Sequence, residues 1–271
     1  MNDGSPAFRA HVVDGVCRFR SADGPTRFLS TGFDGGVRVA DAAYNLTVPE
    51  GWDDAGRRDL RAYVDGRIGA VGFGEETETD GHAGNAPALL TGVDQRHARV
   101  ARLDGATALA TAGVSNPAAL PVPGGEAAAD AGSLGTDATT PTGTVNLLVG
   151  SDRALAPGAL ANLVAVVAEA KAATLLATVG FPGTTSDAVV VGCPARSDPE
   201  DEPAPFSGSA TPVGSAVRAC VREAVRASLV SRYGADLEDA PETVAAAEHG
   251  VVTDRSATVS TPVEPDPSTA G

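Results

Sequence analysis

Lysine is all but missing from this chain. Of the 20 basic residues among 271, every one except Lys171 is arginine. Basic charge as a whole is short as well, because 35 acidic residues leave a formal net charge of −15 at pH 7. A surface of that sign repels phosphate backbones and anionic headgroups, which excludes nucleic acid and acidic membranes as partners. Cysteine is scarce: Cys17, Cys193 and Cys220 are far apart, odd in number and form no C-x-x-C pair. That pattern excludes a disulfide framework and fits a reducing compartment. Histidine is scarce too, and His11, His82, His97 and His249 have neither H-x-x-x-H nor H-E-x-x-H spacing. Asp80, His82, Asp94 and His97 come nearest to a ligand set, but nothing around them supplies the outer hydrogen bonds that a metal-bound imidazole needs, so no metal site is expected. A nucleophile elbow of the G-x-S-x-G kind is absent. The first residues lack a basic stretch followed by an apolar one, and the apolar run after Asn162 is broken by Glu169 and Lys171. Neither a signal peptide nor a membrane span is therefore expected, and the chain reads as cytoplasmic.

What is present is a core of small side chains. Hydrophobic residues make up 42% of the chain and aromatics only 4%, so Ala, Val and Gly fill the interior around a few anchors such as Trp52, Phe73 and Phe181. The acid excess with lysine depletion matches proteins that stay soluble in molar salt, where the Debye length falls to ~3 Å and acidic self-repulsion is screened. Codon usage alone can exchange lysine for arginine, but it does not supply the acidic excess.

Local patterns divide the chain. Up to about residue 48, "AFRAHVV", "VCRFR", "TRFLST", "GVRVA" and "YNLTV" read as short strands, expected to form an antiparallel meander. "DDAGRRDLRAYVDGRI" reads as a helix with Leu60, Tyr63, Val64 and Ile68 as its apolar stripe. "PALLTGV", "ARVARL" and "ATALATAG" read as further strands. Residues 117–142 are rich in Pro, Gly, Ala and acids and read as an exposed insertion. "GTVNLLVG", the long apolar helix and "DAVVVGC" then form a strand–helix–strand unit suited to a parallel crossover, and a last helix spans about Pro212 to Arg232. The expected class is α+β, with N-terminal antiparallel strands joined to the strand–helix–strand–helix part in one mixed sheet. Residues 1–233 form the domain, and residues 234–271 an acidic tail with helical potential near Thr243 and a disordered end.

Several polar residues sit where apolar ones are expected. Glu169 and Lys171 are two apart on one helix, hence about 200° apart around its axis, and they face different surroundings. A solvated edge accommodates both charges. A composition that has removed lysine everywhere else, however, has no surface reason to keep one, whereas a site needing a compact ammonium does. In "TAGVSNP", Ser115 and Asn116 stand at a strand end, either as a plain turn or as functional loop residues. Asn146 lies inside an apolar strand and must find partners there. In "PGTTSDAVVVG", Thr184, Thr185, Ser186 and Asp187 are either an Asx or Ser/Thr turn or a nucleophile beside a carboxylate. "FSGSATPVGSAV" runs into a helix with Thr211 as N-cap and Pro212 in the first turn. The free N–H groups there suit a carbonyl or anion, but the Lys-Ser/Thr ending of a P-loop is missing.

"YNLTVPEGW", "LLTGVDQ", "TAGVSNP", "GTVNLLV", "LANLVAVVAEAKAATLL", "TTSDAVVV" and "FSGSATPVGSAV", in that order, resemble the adenosylcobinamide amidohydrolase (CbiZ) family from roughly Leu29 to Ala227. The resemblance implies an enzyme of cobinamide salvage, which cleaves the amide between an aminopropanol arm and the corrin ring. Its products are adenosylcobyric acid and 1-amino-2-propanol. A non-catalytic corrinoid-binding protein on the same scaffold is the alternative. The partner implied is a corrinoid small molecule, no cofactor is needed because cobalt enters only within the substrate, and a homo-oligomer is compatible with this reading. Two schemes follow from the matched residues. In one, Glu169 activates water, Asn116 and Asn146 donate or orient, and Lys171 stabilises the oxyanion or holds an acidic neighbour. In the other, Thr184 or Ser186 is a covalent nucleophile with Asp187 nearby. The resemblance further implies substrate contacts at Asn45, Ser115 and Thr144, at Asn162, and at Ser209, Thr211 and Gly214. Both schemes stay open at the level of sequence.

Overall fold

A computed structural model describes residues 6–49, 59–73, 86–122, 143–195, 202–241, 243–247 and 249–262. Trp52 and His82, singled out above, lie outside these residues, as do residues 123–142 of the insertion and the last nine of the tail, 263–271. The strands expected near the N-terminus all form: β1 (Phe8–Val13), β2 (Val16–Ser21), β3 (Thr26–Ser30), β4 (Gly36–Ala40) and β5 (Ala42–Thr47). Helix α1 (Leu60–Ala70) follows, with Asp59 as its cap, then β6 (Ala88–Thr91), β7 (Arg99–Leu103), β8 (Ala106–Ala112) and a short β9 (Pro117–Ala119). The second half holds β10 (Val145–Ser151), α2 (Pro157–Val179), β11 (Gly183–Thr184), β12 (Ala188–Pro194), α3 (Pro212–Tyr233) and β13 (Val251–Val252). The helical potential near Thr243 amounts to one turn, Val244–Ala246, capped by that threonine.

Two hairpins close on the same dipeptide. Asp14-Gly15 joins β1 to β2 and Asp104-Gly105 joins β7 to β8, all four residues having positive φ, between 45° and 78°. A two-residue loop with both residues left-handed has the twist that suits paired strands, and Asp-Gly is the pair that tolerates it.

The α+β class is borne out, while the strands divide between two principal sheets where one mixed sheet was expected. One has the order β1-β2-β5-β6 and the other β4-β3-β12-β10-β8-β7; a small ribbon, β11-β9-β13, stands apart. The N-terminal meander is thereby split, with β3 and β4 extending the larger sheet. The reason is burial on both faces. Leu147 and Val149 of β10 pack with α2 and α3, whereas Leu148, between them, packs with the smaller sheet. An apolar sheet face must be covered, and here each sheet covers the other. Gly150 permits the approach, since a Cβ there would lie 2.4 Å from the Phe8 ring. On the smaller sheet, Asn45 faces inward and Tyr44 faces outward, where its ring lies 6.4 Å from that of Phe73 just beyond α1. The layers are helix pair, sheet, sheet and helix.

β10 and β12 run parallel, with α2 as the crossover between them. By length and apolar character α2 suffices to cross a membrane, but here it packs on the larger sheet and against α3. It ends at Gly180, whose φ of 82° is left-handed. All three cysteines are buried, and burial pushes the Cys17 thiol up to about 12. Burial, with the Asp104 carboxylate as a lesser cause, pushes Cys220 up to about 11. Thiolate is the reactive form. Native protein at pH 8 is therefore expected to take up no iodoacetamide, and urea-unfolded protein three equivalents; mass spectrometry reads both.

Candidate functional site

The parallel crossover brings the amino ends of β10 and β12 side by side, and "GTVN" and "TTSD" enter those two strands. Asp187, just before β12, is the centre of what assembles there. Its Oδ1 accepts from Val145 N at 2.9 Å and from Thr184 Oγ1 at 2.5 Å. Its Oδ2 accepts from Thr184 N at 3.0 Å and from Lys171 Nζ. All four acceptor positions of the carboxylate are thus occupied, so Asp187 anchors α2, β10 and β11 to one another. The ion pair is largely withdrawn from water, with side-chain exposures of 13% for Lys171 and 10% for Asp187. The chain's single lysine therefore does not lie on a solvated edge. Its place is tight: a Cβ on Gly183 would sit 2.7 Å from Asp187 Oδ2 and 3.1 Å from Lys171 Nζ.

A second cluster adjoins the first. Thr144 Oγ1 and Ser186 Oγ are 2.9 Å apart, and Ser186 Oγ also donates to Gly143 O at 3.3 Å. Thr144 is buried and Ser186 exposed, so the hydroxyl pair leads from the interior to solvent. Asn116 donates through Nδ2 to Thr185 Oγ1 at 2.6 Å, and its backbone carbonyl accepts from Thr185 N at 3.2 Å. Asn116 Oδ1 is buried without a partner among the described residues. A Cβ at Gly143 would be 2.3 Å from that oxygen and 2.9 Å from Ser115 Oγ, so only glycine fits at the start of β10.

Of the residues singled out in the sequence, Lys171, Asp187, Thr184, Ser186, Thr144, Asn116 and Ser115 are therefore gathered at one end of the larger sheet. Glu169 is not among them. Its carboxylate is 65% exposed and takes Arg218 at 3.3 Å, on a different side of α2 from Lys171. Two residues along a helix turn a side chain through about 200°, and the two charges meet different surroundings accordingly. Asn146 points between the sheets, where Nδ2 donates to Asn45 Oδ1 and to Leu90 O, each at 2.9 Å, while Asn45 Nδ2 donates to Thr111 Oγ1 at 2.9 Å. These residues fasten the two sheets below the cluster. Asn162 donates to Ser207 Oγ at 3.2 Å near the start of α2, nine residues and about 14 Å along the axis from Lys171. Thr211 caps α3 by accepting from Gly214 N, and a Cβ on Gly214 would meet the Gly208 carbonyl at 2.1 Å. Ser209 lines a groove between α2 and α3 with Thr174, Arg218 and Arg222. His97 is held between Arg96, which donates to Nε2, and Ser231 at Nδ1. Both ring nitrogens thus have partners.

Sequence reasoning missed Gly143 and Gly183, where any side chain would intrude on the cluster. It also missed the C-terminal segment as part of this end of the molecule. Pro117–Ala119, expected within an exposed insertion, forms β9, which pairs with β11 on one side and β13 on the other. Residues 251–252 are thereby tied to the strand that carries Thr184.

The family model and the curated relatives agree with one another. A family model described as adenosylcobinamide amidohydrolase matches residues 9–236. An adenosylcobinamide amidohydrolase of Halobacterium salinarum is 52% identical over 255 residues, covering 94% of this chain and 100% of that protein. Another, of Methanosarcina mazei, is 28% identical over 210 residues, covering 75% of this chain and 90% of that protein. Among solved structures, the PH0078 protein from Pyrococcus horikoshii OT3 matches with a TM-score of 0.43 and 12% identity, over 84% of this chain and 80% of that one.

Proposed function

Because this chain belongs to the adenosylcobinamide amidohydrolase family, we propose that it hydrolyses the amide joining the aminopropanol arm of adenosylcobinamide to the corrin ring. The products are adenosylcobyric acid and 1-amino-2-propanol, and the reaction serves cobinamide salvage. One observation carries the placement of the chemistry: the only lysine is locked to a four-fold hydrogen-bonded Asp187 beside a hydroxyl pair that opens to solvent.

Amide hydrolysis requires a nucleophile, stabilisation of the tetrahedral oxyanion and a proton for the departing nitrogen. Ser186, the exposed member of the pair, is the attacking hydroxyl in this reading, with Thr144 hydrogen-bonded behind it. Asp187 does not take the proton, since its acceptor positions are filled; it positions Lys171, whose ammonium stabilises the oxyanion. Thr184 and Asn116 hold the loop that carries Ser186. As Ser186 Oγ bonds to the amide carbon, its proton passes by way of the hydroxyl pair with Thr144 to the departing nitrogen. The C–N bond breaks and 1-amino-2-propanol leaves. Water then opens the ester, returning a proton to Ser186 Oγ, and the carboxylate leaves with the corrin. No cofactor is needed, so turnover survives exhaustive chelation.

The enzyme works in the cytoplasm of a cell with a salt-rich interior. Support comes from the charge of −15, from arginine in place of lysine, and from the 52% identity to a Halobacterium salinarum protein.

The test is to incubate the purified chain with adenosylcobinamide in molar potassium chloride and resolve the corrinoids by mass. Loss of the aminopropanol arm is expected. Retention of intact substrate on the protein without cleavage would leave a corrinoid binder, and no binding at all would remove the reading.

A further inference from the structure

β8 outruns its neighbour β7. Their pairing ends at Arg99 and Ala110, so the backbone N–H groups of Ala112 and Val114 point to an edge where β7 has ended. Both residues are buried, and a buried N–H needs an acceptor. Helix α3 supplies two from its last turns. Ser228 Oγ accepts from Ala112 N at 2.8 Å and donates to His97 O at 2.8 Å. Tyr233 Oη accepts from Val114 N at 2.8 Å.

The two bonds are alike in geometry but hold different parts of the chain. Ala112 is still a rung of the larger sheet, paired on its other side with Val145 of β10. Val114 lies past that last rung: Gly113 N donates to Thr144 O at 3.1 Å, and the backbone then leaves β10 for Asn116. Asn116 grips Thr185 twice, side chain to side chain and backbone to backbone, and Thr185 is the neighbour of Ser186. Tyr233 therefore fixes the point from which Asn116 is hung. The tyrosine is itself held firmly. It is 7% exposed, the Arg232 guanidinium lies 5.3 Å from its ring centre, and Ser231 bonds to His97 Nδ1 and to Arg99. At Gly113 the exit from the strand is close, since a Cβ there would lie 2.7 Å from the Val93 side chain.

We propose that Tyr233 is a positioning residue for the attack by Ser186. Its hydroxyl sets the path of residues 114–116 and, through Asn116 and Thr185, the place of the Ser186 hydroxyl. It touches no reacting atom. The proposal rests on the reaction assigned above, and it gives the end of α3 a part in that reaction. A reacting group misplaced by about 1 Å through a distant change can lose ~10² in rate. A bond that only supports the sheet, as that of Ser228 does, affects stability and leaves the rate of the folded enzyme alone.

Tyr233→Phe keeps the ring in its packing and removes the acceptor for Val114 N, whereas Ser228→Ala removes the matching bond one rung earlier. Both variants should melt below the wild type. With adenosylcobinamide in molar potassium chloride, at a temperature where both are folded, Tyr233→Phe should lower kcat about ten- to hundredfold with KM within about twofold. Ser228→Ala should leave both constants within about twofold of wild type. Amide hydrogen exchange followed by NMR reads the same link without turnover: the Thr185 amide should exchange faster in Tyr233→Phe and at the wild-type rate in Ser228→Ala. Wild-type kcat in Tyr233→Phe, a change confined to KM, or an equal loss of kcat in both variants would each overturn the proposal. A wild type that leaves adenosylcobinamide intact would remove the assigned reaction, and the exchange rates alone would then decide whether Tyr233 holds the loop.

Discussion

Lys171→Met is expected to abolish turnover and to lower stability together. Methionine keeps the stem packed in α2 but removes the charge, which leaves Asp187, only 10% exposed, without its counter-ion. Removing one partner of a buried pair costs about 3–5 kcal/mol, and the three remaining donors to Asp187 place this case near the lower figure. If the ammonium stabilises the oxyanion, its loss lowers the rate by a further ~10²–10³. Stability and rate are separable with Lys171→Arg. That variant keeps the charge and has good helix propensity, but it places a planar fork where Gly183 leaves room only for a compact head. A folded protein with at least tenfold lower turnover is expected, read by circular dichroism and initial rates. Wild-type turnover in Lys171→Arg would make the pair an anchor only.

The melting temperature should rise steeply with salt. With 35 acidic residues against 20 basic, the folded chain concentrates repulsion that the unfolded chain dilutes. Buried pairs such as Lys171–Asp187 are screened little, while the exposed carboxylates are screened almost fully at molar salt. Thermal melts from 0.1 to 3 M potassium chloride should span about 10–20 °C, because 1 kcal/mol moves Tm by about 2–4 °C in a chain of this size and several are at stake. A flat profile would show that the acidic surface has no part in stability.

Most elements of the fold were legible in the sequence because each carries its own period and punctuation. Alternating apolar residues marked β2 and β3, Thr211-Pro212 marked the start of α3, and an unbroken run of Ala and Val marked β12. How the sheets divide was not legible. β3 leaves its neighbour β2 to pair with β12, more than 150 residues away, and that choice depends on which apolar faces stack. The site was legible in part. The uniqueness of Lys171 pointed to a withdrawn ammonium, and the structure supplies Asp187, sixteen residues on, as its partner. Asn146 was correctly read as needing partners, yet the direction of its side chain depends on strand register, which places it facing Asn45 of the other sheet. Glu169 reads in sequence as the companion of Lys171. Helical geometry sends it to Arg218 instead. In the C-terminal segment β13 gave no signal, because Val251 and Val252 form a strand only by adding to β9.

The placement of the chemistry is tested most directly by comparing Ser186→Ala with Glu169→Gln in one adenosylcobinamide assay in molar salt, each variant shown to be folded. Ser186 is exposed and its removal costs the buried Thr144 hydroxyl its partner, which is why folding is checked in that variant, whereas the Glu169 carboxylate is exposed and pairs with Arg218. The account predicts that Ser186→Ala loses at least ~10² in rate, the scale of losing an activated nucleophile or its proton path, while Glu169→Gln stays within about twofold of wild type, as a surface substitution does. Full activity in Ser186→Ala with loss in Glu169→Gln would contradict it and move the reaction to the solvent face of α2.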